Sequence, residues 1–210
     1  NNNSYRIENI TFADGSSLSL QNTGYTFDQT SLHETINATI YNDTINAEAG
    51  NDTINANNGD DIINAGAGND TVEGGEGNDI ITGGKGRDIL NGGSGDDTYV
   101  YNRGDGFDEI TENGGNDKIV FGEGIAKTDL ILIQDGNNLK IQLNGNSEES
   151  ITVKDHFNEN NNYKIERLEF ADGTFVDLGS EELQLIHQTD FSETLSGSEY
   201  NDTLYGFGGN

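Results

Sequence analysis

Seven aspartates recur every nine residues, at Asp43, Asp52, Asp61, Asp70, Asp79, Asp88 and Asp97. Carboxylates do two kinds of chemistry: they move protons, or they hold cations. Adjacent pairs such as Asp60–Asp61 and Asp96–Asp97 suggest the first. Their place in the repeat accounts for them better, because the residue before each repeated aspartate varies among Asn, Asp and Arg. No GxSxG, HExxH or phosphate-binding glycine loop occurs. The three histidines, His33, His156 and His187, are far apart and share no metal-ligand spacing. The aromatic residues Tyr99, Tyr101, Phe107, Phe121 and Phe157 are expected in a core. With no catalytic site found, the chain is expected not to be an enzyme.

The elements that hold the aspartates follow from their neighbours. Two residues after each stands an apolar residue (Ile45, Ile54, Ile63, Val72, Ile81, Leu90, Tyr99). Two residues before all but the first stands a glycine (Gly50, Gly59, Gly68, Gly77, Gly86, Gly95). One apolar residue per nine, followed by a glycine-rich stretch, specifies a very short strand and then a tight turn. Such a strand cannot bury its one large side chain alone, so neighbouring coils must stack and cover it. Two half-turns make a coil of about eighteen residues, with stacked strands roughly 4.8 Å apart. Asp52 then lies above Asp70, Asp61 above Asp79, Asp70 above Asp88, and Asp79 above Asp97. The expected fold is all-β: a parallel β-roll, or β-solenoid.

Stacking creates an electrostatic problem. Two carboxylates about 5 Å apart repel by roughly 3 kcal/mol at an effective dielectric near 20. A hard divalent cation between the rows reverses the sign. Calcium suits such a site because it accepts six or more oxygens, from carboxylates and turn carbonyls alike. Magnesium demands a stricter octahedron, and zinc or copper would want the His or Cys that the turns lack. The alternative is a metal-free solenoid held by Thr and Asn ladders. Threonine follows the aspartate in only part of the block (Thr44, Thr53, Thr71, Thr98, against Ile62, Ile80 and Ile89), so no continuous Thr array forms.

The purest repeats are GGEGNDIIT at 74–82 and GGKGRDILN at 83–91. Across residues 38–100 this pattern resembles the nonapeptide repeats of the RTX (repeat-in-toxin) family of haemolysin-type calcium-binding proteins. The resemblance implies ions between turns eighteen residues apart. The earlier turn gives its second and fourth carbonyls and its aspartate; the later gives its first and third carbonyls and its aspartate. One implied site is Gly66, Gly68 and Asp70 with Gly83, Lys85 and Asp88. A second is Gly75, Gly77 and Asp79 with Gly92, Ser94 and Asp97. A third is Glu48, Gly50 and Asp52 with Ala65, Ala67 and Asp70. A fourth is Asn57, Gly59 and Asp61 with Gly74, Glu76 and Asp79. Tyr41 replaces a fourth-position glycine and Glu34 sits where an aspartate belongs, so the pairing of Asp43 with Asp61 is expected and one through Glu34 is not. Asp117 and Asp202 occupy the same motif position further on and join the candidate ligands. The implied load is about five or six calcium ions.

A longer repetition frames the shorter one. YRIENITFADGS at 5–16 returns as YKIERLEFADGT at 163–174, and ETINATIYNDTINAEAGN at 34–51 answers to ETLSGSEYNDTLYGFGGN at 193–210. The chain therefore reads as part of a larger array: residues 1–28 end one flanking domain, 29–120 form the roll, 121–187 form a β-rich capping flank, and 188–210 begin a second block. In the roll the core repeats span 38–100 and fade to 120, where Asp108 and Asp117 keep the spacing but the glycines have slipped. Apolar alternation over 118–178 predicts five or six strands, with turns at Gly136-Asn137-Asn138 and Gly145-Asn146. GSEELQLIHQ at 179–188 predicts one short helix capped by Ser180. The stretch from Tyr101 to Phe175 resembles the domain that follows RTX blocks, whose expected role is to cap the roll's open end.

Composition agrees with a cation partner. The 210 residues carry 38 acidic and 10 basic side chains, a net charge of −28, and the mean hydropathy is −0.69. Such a chain stays unfolded until something offsets its self-repulsion. Nucleic acid is excluded as a direct partner and an anionic membrane would repel it. There is no apolar run long enough to span a bilayer, and no signal peptide is expected within these residues. Cysteine is absent, leaving calcium the part disulfides take in small secreted modules. No proline occurs, so the self-cleavage at Asp-Pro seen in some RTX relatives cannot take place. The resemblance implies a module of a large bacterial toxin or adhesin, secreted unfolded through a type I channel and folded outside by calcium beside neighbouring blocks of the same parent chain. Alternatives are a non-catalytic module of a secreted hydrolase or polysaccharide epimerase, or a structural spacer.

Overall fold

The computed structural model describes residues 32–143, 148–158 and 163–179, together with strands at 9–11, 17–19, 26–28 and 186–187. Strands β1 (Asn9–Thr11) and β2 (Ser17–Ser19) form an antiparallel pair by themselves. Then come the coils: β3 (Thr26–Asp28), β4 (Thr35–Asn37), β5 (Thr44–Asn46), β6 (Thr53–Asn58), β7 (Ile62–Gly68), β8 (Thr71–Glu76), β9 (Ile80–Gly86), β10 (Ile89–Ser94), β11 (Thr98–Tyr101), β12 (Phe107–Thr111) and β13 (Lys118–Phe121). Odd-numbered strands stack in parallel into one sheet and even-numbered strands into another. The result is a β-roll.

The register follows the nine-residue pattern. One sheet aligns Phe27, Ile45, Ile63, Ile81, Tyr99 and Ile119. The other aligns Ile36, Ile54, Val72, Leu90 and Ile110. From Ile36 onward these residues are buried, and the intervening positions face solvent, which is the period-two alternation of a strand with one covered face. Each buried isoleucine contributes about 1.5–3 kcal/mol only once its neighbours in adjacent coils cover it.

The sheets continue beyond residue 120. The remaining strands are β14 (Leu130–Asp135), β15 (Asn138–Leu143), β16 (Ser150–Val153), β17 (Arg167–Phe170), β18 (Phe175–Asp177) and β19 (Ile186–His187). β16 pairs in parallel with β12 and β17 with β13, so Val153 and Leu168 extend the two apolar rows. After them the pairing turns antiparallel, through β15 and β14 on one sheet and β18 on the other. Leu139, Ile141, Ile151, Phe121 and Phe170 join the roll's interior as one buried cluster, with the Phe121 and Phe170 rings stacked at 5.4 Å. Among its described residues the stretch 118–178 holds six strands, and Gly136 and Asn137 make the β14–β15 turn. The Gly145-Asn146 turn lies outside the described residues.

The expected helix at 179–188 needs correction where it can be seen. Ile186–His187 is a strand, pairing in parallel with Ile133–Gln134. The open edge of β14 offers unpaired backbone groups there, and satisfying them outweighs the local helical pattern. The rest of that segment, Ser180 included, lies outside the described residues. The long repetition is visible in backbone geometry: Asn9↔Ser19 and Ile10↔Leu18 in the first hairpin correspond to Arg167↔Asp177 and Leu168↔Val176 in the second.

Candidate metal centre

The aspartate column forms a continuous ladder. The backbone N–H of Asp43 donates to Asp61 Oδ1 at 2.6 Å, that of Asp52 to Asp70 at 2.7 Å, and those of Asp61, Asp70 and Asp79 to Asp79, Asp88 and Asp97 at 2.8 Å. All seven aspartates are at most 2% exposed. Oδ1 is thereby fixed in Asp61, Asp70, Asp79, Asp88 and Asp97, and the N–H of Glu34 fixes it in Asp52. The other, Oδ2, is buried without a hydrogen-bond partner in Asp52, Asp61, Asp70, Asp79, Asp88 and Asp97. A buried charged oxygen left unpaired is among the most costly groups a fold can contain, so a row of six demands a common partner.

The titration behaviour agrees. Burial, against the lowering effect of the backbone hydrogen bonds, pushes Asp61 and Asp70 up to about 6 and Asp79 up to about 7. Asp88 and Asp97 are raised for the same main reason. Neighbouring carboxylates in the column add to the rise at Asp61, Asp70, Asp79 and Asp88, and the adjacent Asp96 does so at Asp97. The site favours a positive partner.

The turn backbone supplies further oxygens. Second-position residues hold positive φ: 68° at Glu48, 75° at Asn57, 104° at Gly66 and 118° at Gly75. Their carbonyls project toward the next coil, and a Cβ on Gly75 would stand 1.7 Å from Asn57 O. Fourth-position carbonyls do likewise, with Gly50 O only 1.4 Å from where a Gly68 Cβ would be. Third-position carbonyls face back: Ala67, Glu76 and Ser94 accept from the N–H groups of Gly50, Gly59 and Gly77 at 2.8 Å. At the first position, a Cβ on Gly74 would stand 2.4 Å from Asp79 Oδ2 and 2.5 Å from Gly92 O, so both oxygens border one small space.

These contacts locate the expected ligand sets. Gly66 aligns with Gly84, Ala67 with Lys85 and Gly68 with Gly86, bringing the turn of Asp70 over that of Gly83 and Asp88. Asn57 aligns with Gly75 and Asn58 with Glu76, and Gly75 with Gly93 and Glu76 with Ser94, joining the turns of Asp61, Asp79 and Asp97. Ala49 bridges to Ala67, which sets Glu48, Gly50 and Asp52 over the turn of Ala65 and Asp70. Every donor so assembled is oxygen. The chemistry fits a hard cation that takes many oxygens, and calcium is that cation. Asp202 lies outside the described residues.

The ladder also runs where the nine-residue spacing fails. Asp88 donates to Asp108 Oδ1 at 3.2 Å and Asp97 to Asp117 Oδ1 at 2.8 Å, each over a coil of twenty residues. Asp117 in turn donates to Glu166 Oε2 at 2.7 Å, across 49 residues. Glu34 occupies the column too, its N–H donating to Asp52 Oδ1 at 2.8 Å. Asp108, Glu112 and Glu166 are acidic groups at the site that the spacing did not single out as ligands. Glu112 was legible by aligning ENGGND with GGxGxD; Glu166 was not, because the intervening stretch has no period. His156 is buried beside Phe157 and accepts from the N–H of Ile165, away from this column.

A parallel roll with a ladder of oxygen donors on its turns defines a calcium-binding β-roll. Four segments, 37–72, 64–99, 73–110 and 187–210, match the RTX calcium-binding nonapeptide repeat, and residues 138–179 match the haemolysin-type calcium-binding protein related domain. The iron-regulated protein FrpA of Neisseria meningitidis serogroup C is 34% identical over 115 residues, 52% of this chain and 10% of that protein. The chain belongs to the RTX family of haemolysin-type calcium-binding proteins.

Proposed function

We propose that this chain is a calcium-folded module of a large secreted bacterial exoprotein, a toxin or adhesin, and that it has no catalytic role of its own. The observation that carries this reading is the row of buried Oδ2 atoms without partners, which makes the ion-free roll electrostatically unfavourable. Because the unfolded chain holds no preformed site, binding energy is folding energy. Extracellular calcium modules bind with dissociation constants of about 0.1–1 mM. At roughly 2 mM free ion each site adds about 0.6–1.8 kcal/mol, so one ion would not fold the chain whereas about five or six sharing aspartates would. In the cytosol, with calcium scarce, the chain stays unfolded and fit for export through a type I channel; outside, it folds against neighbouring blocks of its parent.

The test is far-UV circular dichroism of the chain during a calcium titration from chelator to about 10 mM, with magnesium as control. A steep coil-to-β transition in calcium alone supports the reading. A spectrum already rich in β structure in chelator at neutral pH would show that the fold supports itself, and the export argument would lose its basis.

A further inference from the structure

One turn carries a carboxylate at its first position. In Glu112-Asn113-Gly114-Gly115-Asn116-Asp117 a glutamate stands where the turns of Asp79, Asp88 and Asp97 have Gly74, Gly83 and Gly92. First-position side chains aim at their own turn's carboxylate: a Cβ on Gly92 would stand 2.3 Å from Asp97 Oδ2, and one on Gly83 2.6 Å from Asp88 Oδ2. Glu112 points the same way and is fully buried. One carboxylate oxygen from each of Asp97, Glu112 and Asp117 lies within 4.8 Å of the other two. Asp97 and Asp117 are themselves at most 1% exposed, and each retains an Oδ2 without a partner. The Gly92 Cβ position that meets Asp97 Oδ2 also lies 2.7 Å from the Tyr99 hydroxyl, which places the unpartnered oxygen on the Glu112 side.

Tyr99 fixes the glutamate. It occupies the apolar position that is aliphatic in the six earlier repeats, donates its O–H to Glu112 Oε1, and accepts the N–H of Gly92 at 2.6 Å. Asn113 N–H donates to Glu112 Oε2 at 3.3 Å. Among the described residues nothing basic enters this group of contacts. Burial first, and then the charge of Asp117, oppose ionisation of Glu112 and push it up to about 9. A structural role for Glu112 as a hydrogen-bond acceptor for Tyr99 leaves the two unpartnered aspartate oxygens unexplained; a cation accounts for all three carboxylates.

We infer that Asp97, Glu112 and Asp117 form a three-carboxylate calcium site where the coil length changes, and that it fills before the two-carboxylate sites of the regular coils. Affinity in oxygen-donor calcium sites rises with the number of charged ligands. The inference rests on calcium binding by the roll, and it differs in assigning a side-chain ligand, Glu112, at a position that otherwise contributes only backbone. Tyr99 acts as a positioning residue.

The experiment is calorimetric titration of calcium into the full chain and its Glu112→Gln variant, with circular dichroism in parallel. The expected result is one ion bound at a concentration about tenfold or more below the rest in the parent chain. The variant should lose that phase and keep the later folding transition. Superimposable titrations of the two proteins overturn the inference while leaving the roll's calcium binding intact; no binding by either overturns both. Should Glu112→Gln fail to fold even in excess calcium, terbium luminescence sensitised through tyrosine decides. The component saturating at the lowest terbium should vanish in Tyr99→Phe, with circular dichroism unchanged, and its persistence there rules the site out.

Discussion

At the scale of single residues, each repeated aspartate does two jobs with its two oxygens. From Asp52 to Asp97, Oδ1 ties one coil to the next through a backbone N–H, and Oδ2 is left for an ion. Asp79 sits in the middle of the ladder, so Asp79→Ala removes ligands from two sites at once. We expect the calcium midpoint to rise about threefold or more and the transition to broaden, as read by circular dichroism. Asp172→Ala is the matched control. Its exposed carboxylate serves only the N–H and hydroxyl of Thr174 in the β17–β18 turn, and its loss should leave the calcium midpoint nearly unchanged. Equal effects from both variants would argue against the ladder.

At the scale of elements, the turn is the unit that sequence specifies best. The Asp-to-apolar spacing, the fourth-position glycines and the short strand were all legible, because every repeat imposes the same steric demand on its neighbours. Gly68 shows the demand most sharply, with φ at 150° and Gly50 O occupying the place of its absent Cβ. Gly68→Ala should cost about 2 kcal/mol or more, seen as a higher calcium midpoint and a lower denaturant midpoint in saturating calcium. The second position is more tolerant: Glu48 and Asn57 hold positive φ there without being glycine. The elements that sequence described less well are those outside the period. The strand at Ile186–His187 owes its form to the β14 edge rather than to its own residues.

At the scale of the whole molecule, the net charge of −28 and the buried ladder make stability depend on what neutralises the carboxylates. Protons and calcium compete for that role. The folded-state values of Asp61 and Asp70, about 6, and of Asp79 and Asp117, about 7, all lie above the unfolded value of 3.8. Raised carboxylates lend stability that is fully present below the unfolded value and is lost as pH rises through the folded one. The ion-free chain should therefore gain β structure on acidification from about pH 7.5 to 4, and unfold again on return. Circular dichroism in chelator across that range checks this, and the calcium midpoint for folding should fall on lowering the pH from about 7.5 to 6, because protons then offset part of the carboxylate charge.

Sequence alone determined the coil, its inward apolar rows, the aspartate ladder and the preference for a hard cation, because a strict nine-residue period lets local geometry propagate unchanged from coil to coil. It also marked the long repetition, whose two hairpins keep the same register. Only the tertiary structure decided how the ladder ends. The coils lengthen to twenty residues at Asp108 and Asp117, Glu166 takes the next rung from 49 residues away, and β16 and β17 carry both sheets into the antiparallel flank. These pairings depend on where irregular loops return the chain. No local period encodes that; packing against the rows already laid down does.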